Sequence, residues 1–279
     1  MNEKKGIGDI AVFVILFFIS FAFIIPFLWT FLTSLKTDAE IYSTTLTLLP
    51  KEFYVGHYVG IFTKLGNFLK YFTNSVAVSF WSVLFNVLLA STLGYSFSKF
   101  KYWGREFFLG AVLLIITLPY VIYLIPIYIM QSRFDLIDTK LGLILPYTAT
   151  NLPMSVFIMR GQFNGVPNEM MEAARIDGAS QWQTFTRVML PIVKPGIATV
   201  IIMTFITVWG EFTYARTLST TAKSQTLAVG ITFLRDEAAS WQYGTLTATI
   251  ILSLIPVLII FLSMQKYFIK GIMAGAVKG

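Results

Sequence analysis

Six stretches of this chain stay apolar for about twenty residues or more, the length a helix needs to cross the hydrocarbon core of a bilayer. They fall at about 10–34, 72–98, 106–130, 140–160, 196–216 and 244–267. A backbone in lipid must satisfy its own hydrogen bonds, so apolar runs of this length become helices. The fold class follows: an all-α integral membrane protein with six transmembrane helices in one domain, residues 1–279. Composition agrees, with 56% hydrophobic and 13% charged residues, against roughly 25% charge in a soluble domain. Lys4 and Lys5 precede the first run as they would in a signal peptide. That run is too long for a signal core and no A-x-A site follows, so an uncleaved first span is expected.

Charge and cysteine content exclude several classes of function. The net charge of +7 is scattered among loops, which suits anionic lipid and topology control and gives no patch for nucleic acid. Cys is absent and the one His, His57, stands alone in a loop, so no disulfide or metal site is expected. No G-x-x-x-x-G-K-[ST] run occurs, so ATP cannot be hydrolysed by a phosphate loop of this chain. No catalytic constellation marks an enzyme either. The short connection carrying Lys99, Lys101 and Arg105 places that side in the cytoplasm. Both termini and residues 165–195 are then cytoplasmic, and loops 36–71 and 217–242 extracytoplasmic.

Residues 165–195, GVPNEMMEAARIDGASQWQTFTRVMLPIVKP, form a polar island. Pro167 and Asn168 suit a helix start, and Glu169 and Glu172 suit its positive end. Gly178 closes that helix. Ser180 with Gln183 has capping-box spacing, which predicts a second helix running until Pro191 stops it. Ala173 and Ala174 offer a small, smooth face, Glu172 and Arg175 lie within pairing distance of one turn, and Trp182, Phe185 and Met189 recur on one face. Elsewhere Pro26, Pro119, Pro126, Pro146, Pro153 and Pro256 interrupt apolar spans, and bent helices suit a gated pathway.

Glu172-Ala173-Ala174, then Asp177-Gly178-Ala179, Phe185, Leu190-Pro191 and Pro195 resemble the EAA loop of binding-protein-dependent ABC importer permeases. Leu118-Pro119 with Ile125-Pro126, Leu136-Ile137-Asp138-Thr139, Trp209-Gly210-Glu211-Phe212 and the terminal Gly275-Ala276-Val277-Lys278-Gly279 are similar to the carbohydrate branch, its smaller maltose-type permease. Gly210 stands where that branch usually has Asn. The resemblance implies a pore subunit that alternates between inward and outward openings. Its partners would be a second permease, two ATPase subunits carrying ATP and Mg, and an extracytoplasmic sugar-binding protein. It implies that Glu172, Ala173, Ala174, Asp177, Gly178, Phe185 and Pro191 couple to the ATPase, that the C-terminal tail touches the ATPase pair, and that residues 217–242, with Gly230, Phe233 and Arg235, face the binding protein.

Candidate pathway contacts are aromatic or charged residues in bent or polar-flanked spans: Glu211, Trp209, Tyr214, Tyr120 and Tyr123. Glu211 is an acid well inside an apolar span, which marks either a functional group or a packing hydrogen bond. An ion-coupled secondary transporter is the alternative reading. It calls for internal repeats and several midplane acids, and it has no use for the capped helix pair.

Overall fold

The computed structural model describes residues 7–234 and 242–276. Arg235 and residues 277–279 of the tail lie outside them. Among the described residues every regular element is helical, as expected of a backbone that must satisfy itself in lipid. The chain divides into two compact units, one of residues 1–68 with 231–255 and one of residues 69–230 with 256–279.

The first unit begins with α1 (Ile7–Ser34), in which no residue from Val12 to Thr33 is buried while Ser34 is. The polar connection after it is folded. Thr37 caps the short α2 (Asp38–Ile41). Glu40 accepts the Thr47 hydroxyl at 2.5 Å and the Lys51 amide at 3.1 Å, which closes residues 40–51 into a ring. α3 (Gly56–Lys64) starts with buried His57, whose ring nitrogen meets the Lys36 carbonyl at 2.8 Å and whose edge packs on Tyr54. His57 is therefore a packing residue. α13 (Tyr243–Ala276) enters this unit with its residues up to Ile255, where Tyr243 packs edge-on against Tyr42 and Thr245 lies 3.4 Å from Lys64 Nζ.

The second unit holds α4 (Phe68–Lys99) from Leu69 onward, α5 (Arg105–Leu114), α6 (Leu124–Arg133), α7 (Lys140–Asn164), α11 (Lys194–Trp209) and α12 (Thr213–Leu218). α4 and α7 touch backbone to backbone. A Cβ on Gly94 would stand 2.7 Å from Met159 Cβ and 2.9 Å from the Arg160 amide nitrogen, so only glycine permits the approach. Thr139 caps α7 through the Gly142 amide. Inside α7, Thr148, Thr150, Asn151 and Ser155 bond the carbonyl four residues back.

Among the described residues four helices are long and apolar enough to cross a membrane, and two bent pairs meet the same test jointly. The pair 105–133 bends by 100°. Pro119 explains it: the residue before a proline avoids helical backbone, and Leu118 is extended at ψ 134. Pro126 does no such damage, because it falls in the first turn of α6, where its missing N–H has no partner to lose. The pair 181–209 bends by 76° beside Val193 and Lys194. α11 ends at Gly210, short of the 216 expected from hydropathy.

Candidate functional site: the capped helix pair and the broken-span cluster

The polar island folds as a helix pair in the second unit. α8 (Glu169–Ile176) carries Glu169 and Glu172 in its first turn. Asn168 does not cap it with its side chain. The Asn168 amide oxygen is taken instead by Lys99 Nζ at 2.9 Å, and the same ammonium reaches the Val166 carbonyl at 2.5 Å. α8 closes with the Gly178 amide on Arg175 O at 3.0 Å and the Ala179 amide on Ala174 O at 2.9 Å. That pair of bonds is the Schellman arrangement, which needs a left-handed residue, and Gly178 has φ +80. The Ser180–Gln183 capping box forms in both directions, at 2.8 and 3.2 Å, and starts α9 (Gln181–Gln183).

The second helix does not continue as an ordinary α-helix. Residues Thr184–Met189 wind as a π-helix, followed by α10 (Leu190–Ile192). Pro191 sits within that last turn, so the helical run passes it and ends at Ile192. Burial along the expected apolar face is uneven, although the Trp182 ring still lies 5.6 Å from that of Phe185. Phe185 and Met189 are buried, while Trp182 remains 68% exposed. Ala174 turns inward, leaving Ala173, Glu172, Asp177 and Gly178 exposed. Among the described residues no ion pair joins Glu172 to Arg175. Ile176, 86% exposed, stands with Trp182 on the free surface. A shallow groove of about 380 Å³ runs between Ala174, Asp177, Gly178, Gln183 and Arg187.

The inward face is fixed to the long helices. Tyr95 of α4 packs its ring 4.9 Å from Phe185 and 5.4 Å from Phe163 of α7. Its hydroxyl meets Met171 Sδ at 3.9 Å. Val166, Met171, Phe185, Met189, Val193 and Val200 share one apolar cluster with Ala90 and Met159. The side chains that seat the helix pair, Tyr95, Lys99, Phe163 and Met171, escape the motif reading because they lie outside its spacing pattern.

A second polar site forms where the broken helices meet. Glu211 lies in the gap between α11 and α12. Its carboxylate accepts the Tyr214 amide at 2.9 Å, the Ala215 amide at 3.1 Å and the Tyr147 hydroxyl at 2.6 Å. Glu211 thus caps α12 and ties it to α7. Tyr214 is buried, donates its hydroxyl to the Tyr120 carbonyl at 2.8 Å and stacks on the Tyr120 ring at 5.9 Å. Tyr120 remains 48% exposed. Tyr123 lies in the same short helical turn and bonds the Ile115 carbonyl at 3.3 Å. Trp209 does not join this cluster: it packs on Phe72 and Phe205. Gly230 is buried against the Tyr71 ring, while Phe233 is exposed. Among the described residues no group of three His, Cys, Asp or Glu side chains could hold a metal.

The family model described as "Binding-protein-dependent transport system inner membrane component" matches residues 86–273. The chain belongs to that family. The matched segment contains the helix pair and the Glu211 cluster. A putative ABC transporter permease protein of Caldicellulosiruptor sp. is 34% identical over 91% of this chain and 92% of its own length. The arabinooligosaccharides transport system permease protein AraQ of Halalkalibacterium halodurans is 31% identical over 94% of each chain. A solved bacterial ABC transporter that imports the acidic polysaccharide alginate contains a chain superposing with a TM-score of 0.82. It is 23% identical and covers 96% of this chain and 100% of that one. The fold is that of an ABC permease, and the chain is a membrane permease subunit with no ATPase of its own.

Proposed function

We propose that this permease passes an oligosaccharide, delivered by an extracytoplasmic binding protein, across the cytoplasmic membrane of a prokaryote. The reading makes six crossings of the four long helices and the two bent pairs, with both termini inside. A second permease and two ATPase subunits that bind ATP and Mg complete the machine. The observation that carries it is the seating of the capped helix pair. Tyr95, Phe163 and Phe185 lock it to α4 and α7, so a push on Ile176, Trp182 and the groove beside Gly178 reaches the membrane helices without slack. Glu172, Ala173, Asp177 and Gly178 form the surface offered to the ATPase, while Phe185 and Pro191 act from behind it. The sugar class rests on the likeness to oligosaccharide permeases, and Tyr120, half-exposed and stacked on Tyr214, is the ring placed to meet a sugar face.

The test is to co-purify the chain with its native neighbours and measure ATP hydrolysis with the binding protein loaded in turn with arabinotriose, galactotriose or maltotriose. Stimulation by one sugar supports the reading and names the cargo. Solute movement under an ion gradient by the chain purified alone overturns it in favour of an ion-coupled carrier.

A further inference from the structure

The connection between α6 and α7 contains two residues, Asp135 and Asp138, with φ of 54 and 59. Few residues other than glycine hold a left-handed backbone, and they do so where surrounding bonds over-determine it. At Asp138 those bonds reach the segment after α12. The Asp138 amide donates to the Leu218 carbonyl at 2.8 Å. Its carboxylate accepts four donors: the Thr220 and Thr221 amides at 2.9 Å each, and the Thr221 and Ser224 hydroxyls at 2.6 Å each. The same segment is held from its other side. Asn74 Nδ2, near the start of α4, donates to the carbonyls of Ala222 at 3.1 Å and Gln225 at 2.9 Å, and Ser75 accepts the Leu227 amide at 2.8 Å. Residues 218–227 thus bridge the first turns of α4 and the residue pair that leads into α7. Thr220, Thr221 and Lys223 nevertheless keep their side chains exposed.

This arrangement has more order than a passive loop needs. Four donors drawn from residues 220–224, of which Thr220 and Thr221 are exposed and Ser224 is buried, converge on one carboxylate, and a charged acceptor makes bonds roughly twice as strong as a neutral one. We propose that Asp138 is a positioning residue that holds residues 218–226 in a fixed shape for the binding protein, and passes docking there to α4 and α7. The inference rests on the reading above that puts this segment on the binding-protein side. It adds that the segment is a fixed platform, with its shape set by one carboxylate from the neighbouring connection.

The test uses the assembled transporter in nanodiscs with its binding protein, comparing wild type with Asp138→Asn, Asp138→Ala and Lys223→Glu. Asparagine tolerates the left-handed backbone, so Asp138→Asn removes the charge while leaving the chain foldable. Hydrogen exchange at the Thr220 and Thr221 amides is expected to quicken about tenfold or more in both Asp138 variants. The binding-protein concentration that half-saturates ATPase stimulation is expected to rise about fivefold, with basal and maximal ATPase rates unchanged. Unchanged exchange in Asp138→Ala overturns the latch. Faster exchange with unchanged half-saturation, while Lys223→Glu raises it, overturns the positioning role but keeps the segment as a docking face. If neither exchange-altering nor charge-reversing variants move half-saturation, the binding-protein side has been misread and both ideas fall together.

Discussion

Gly178 has φ +80, and nothing lies within 4 Å of where a Cβ would stand. A side chain there would meet strain and no clash, and the strain amounts to about 1–2 kcal/mol. Gly178→Val is expected to assemble with a small loss of melting temperature while uptake collapses, because the Schellman turn sets the angle between α8 and α9. Measuring both on one preparation separates coupling from stability. Glu211 offers a sharper distinction between roles. Glu211→Ala would orphan the Tyr147 hydroxyl and two helix-start amides, at about 1–3 kcal/mol for each group left buried. Glu211→Gln keeps an acceptor. Retained transport in Glu211→Gln with loss in Glu211→Ala is the expected pattern in an uptake assay; loss in both would point to a carboxylate needed for its charge. Burial raises the Asp138 carboxyl pKa, but hydrogen bonds from Ser224, Thr221 and Thr220 outweigh it and hold the group at about 2. A lowered acid stabilises above its unfolded value of about 3.9, and the contribution is lost as pH falls from there through 2. Exchange protection at Thr220, corrected for intrinsic rates, is expected to be flat down to about pH 4 and to fall below it, whereas Asp138→Asn shows no such step. Residue types at local spacing announced much of this: the glycine, the capping box and the lone acid were legible in the chain. Tyr95, Lys99 and the donors to Asp138 were not, because they are set by contacts between segments about 65 to 90 residues apart and no local rule joins them.

At the scale of elements, α4 approaches α7 closely at Gly94. Gly94→Val would force the two backbones apart, and overpacking of this kind costs about 1–3 kcal/mol. The damage falls on the aromatic seat one helical position away, at Tyr95, so loss of ATPase stimulation is expected to exceed loss of thermal stability; equal loss of both would make Gly94 a packing residue only. Element type was legible for the membrane-length runs, since length and apolarity alone demand helix there, but α2 and α3 lie in the polar stretch 36–71 expected as a loop. Element ends were less so. Pro119 breaks its span as the backbone rule for prolines foretells, yet Pro126 sits harmlessly in a first turn and Pro191 within the last turn of its helical run. The fifth apolar run stops early because Gly210 ends α11 and Glu211 opens a new helix. The π-turn at Thr184–Met189 left no trace in residue spacing.

For the whole molecule, two compact units imply two cooperative openings. Tyr243→Ala removes the ring that packs on Tyr42. It is expected to quicken tryptic cleavage after Lys51 several-fold, while amide exchange at Phe185 and Met189 stays as in wild type. Equal loosening of both sites would mean that the units open together. The division also sets an order of construction as the chain leaves the ribosome. Residues 1–68 emerge well before residues 243 and 245, yet the contacts that finish their unit, Tyr42 with Tyr243 and Lys64 with Thr245, wait for those later residues. The seat of the helix pair, by contrast, is complete once α11 has emerged, since its cluster runs only from Ala90 to Val200. The seat of the helix pair is therefore built before the first unit is closed.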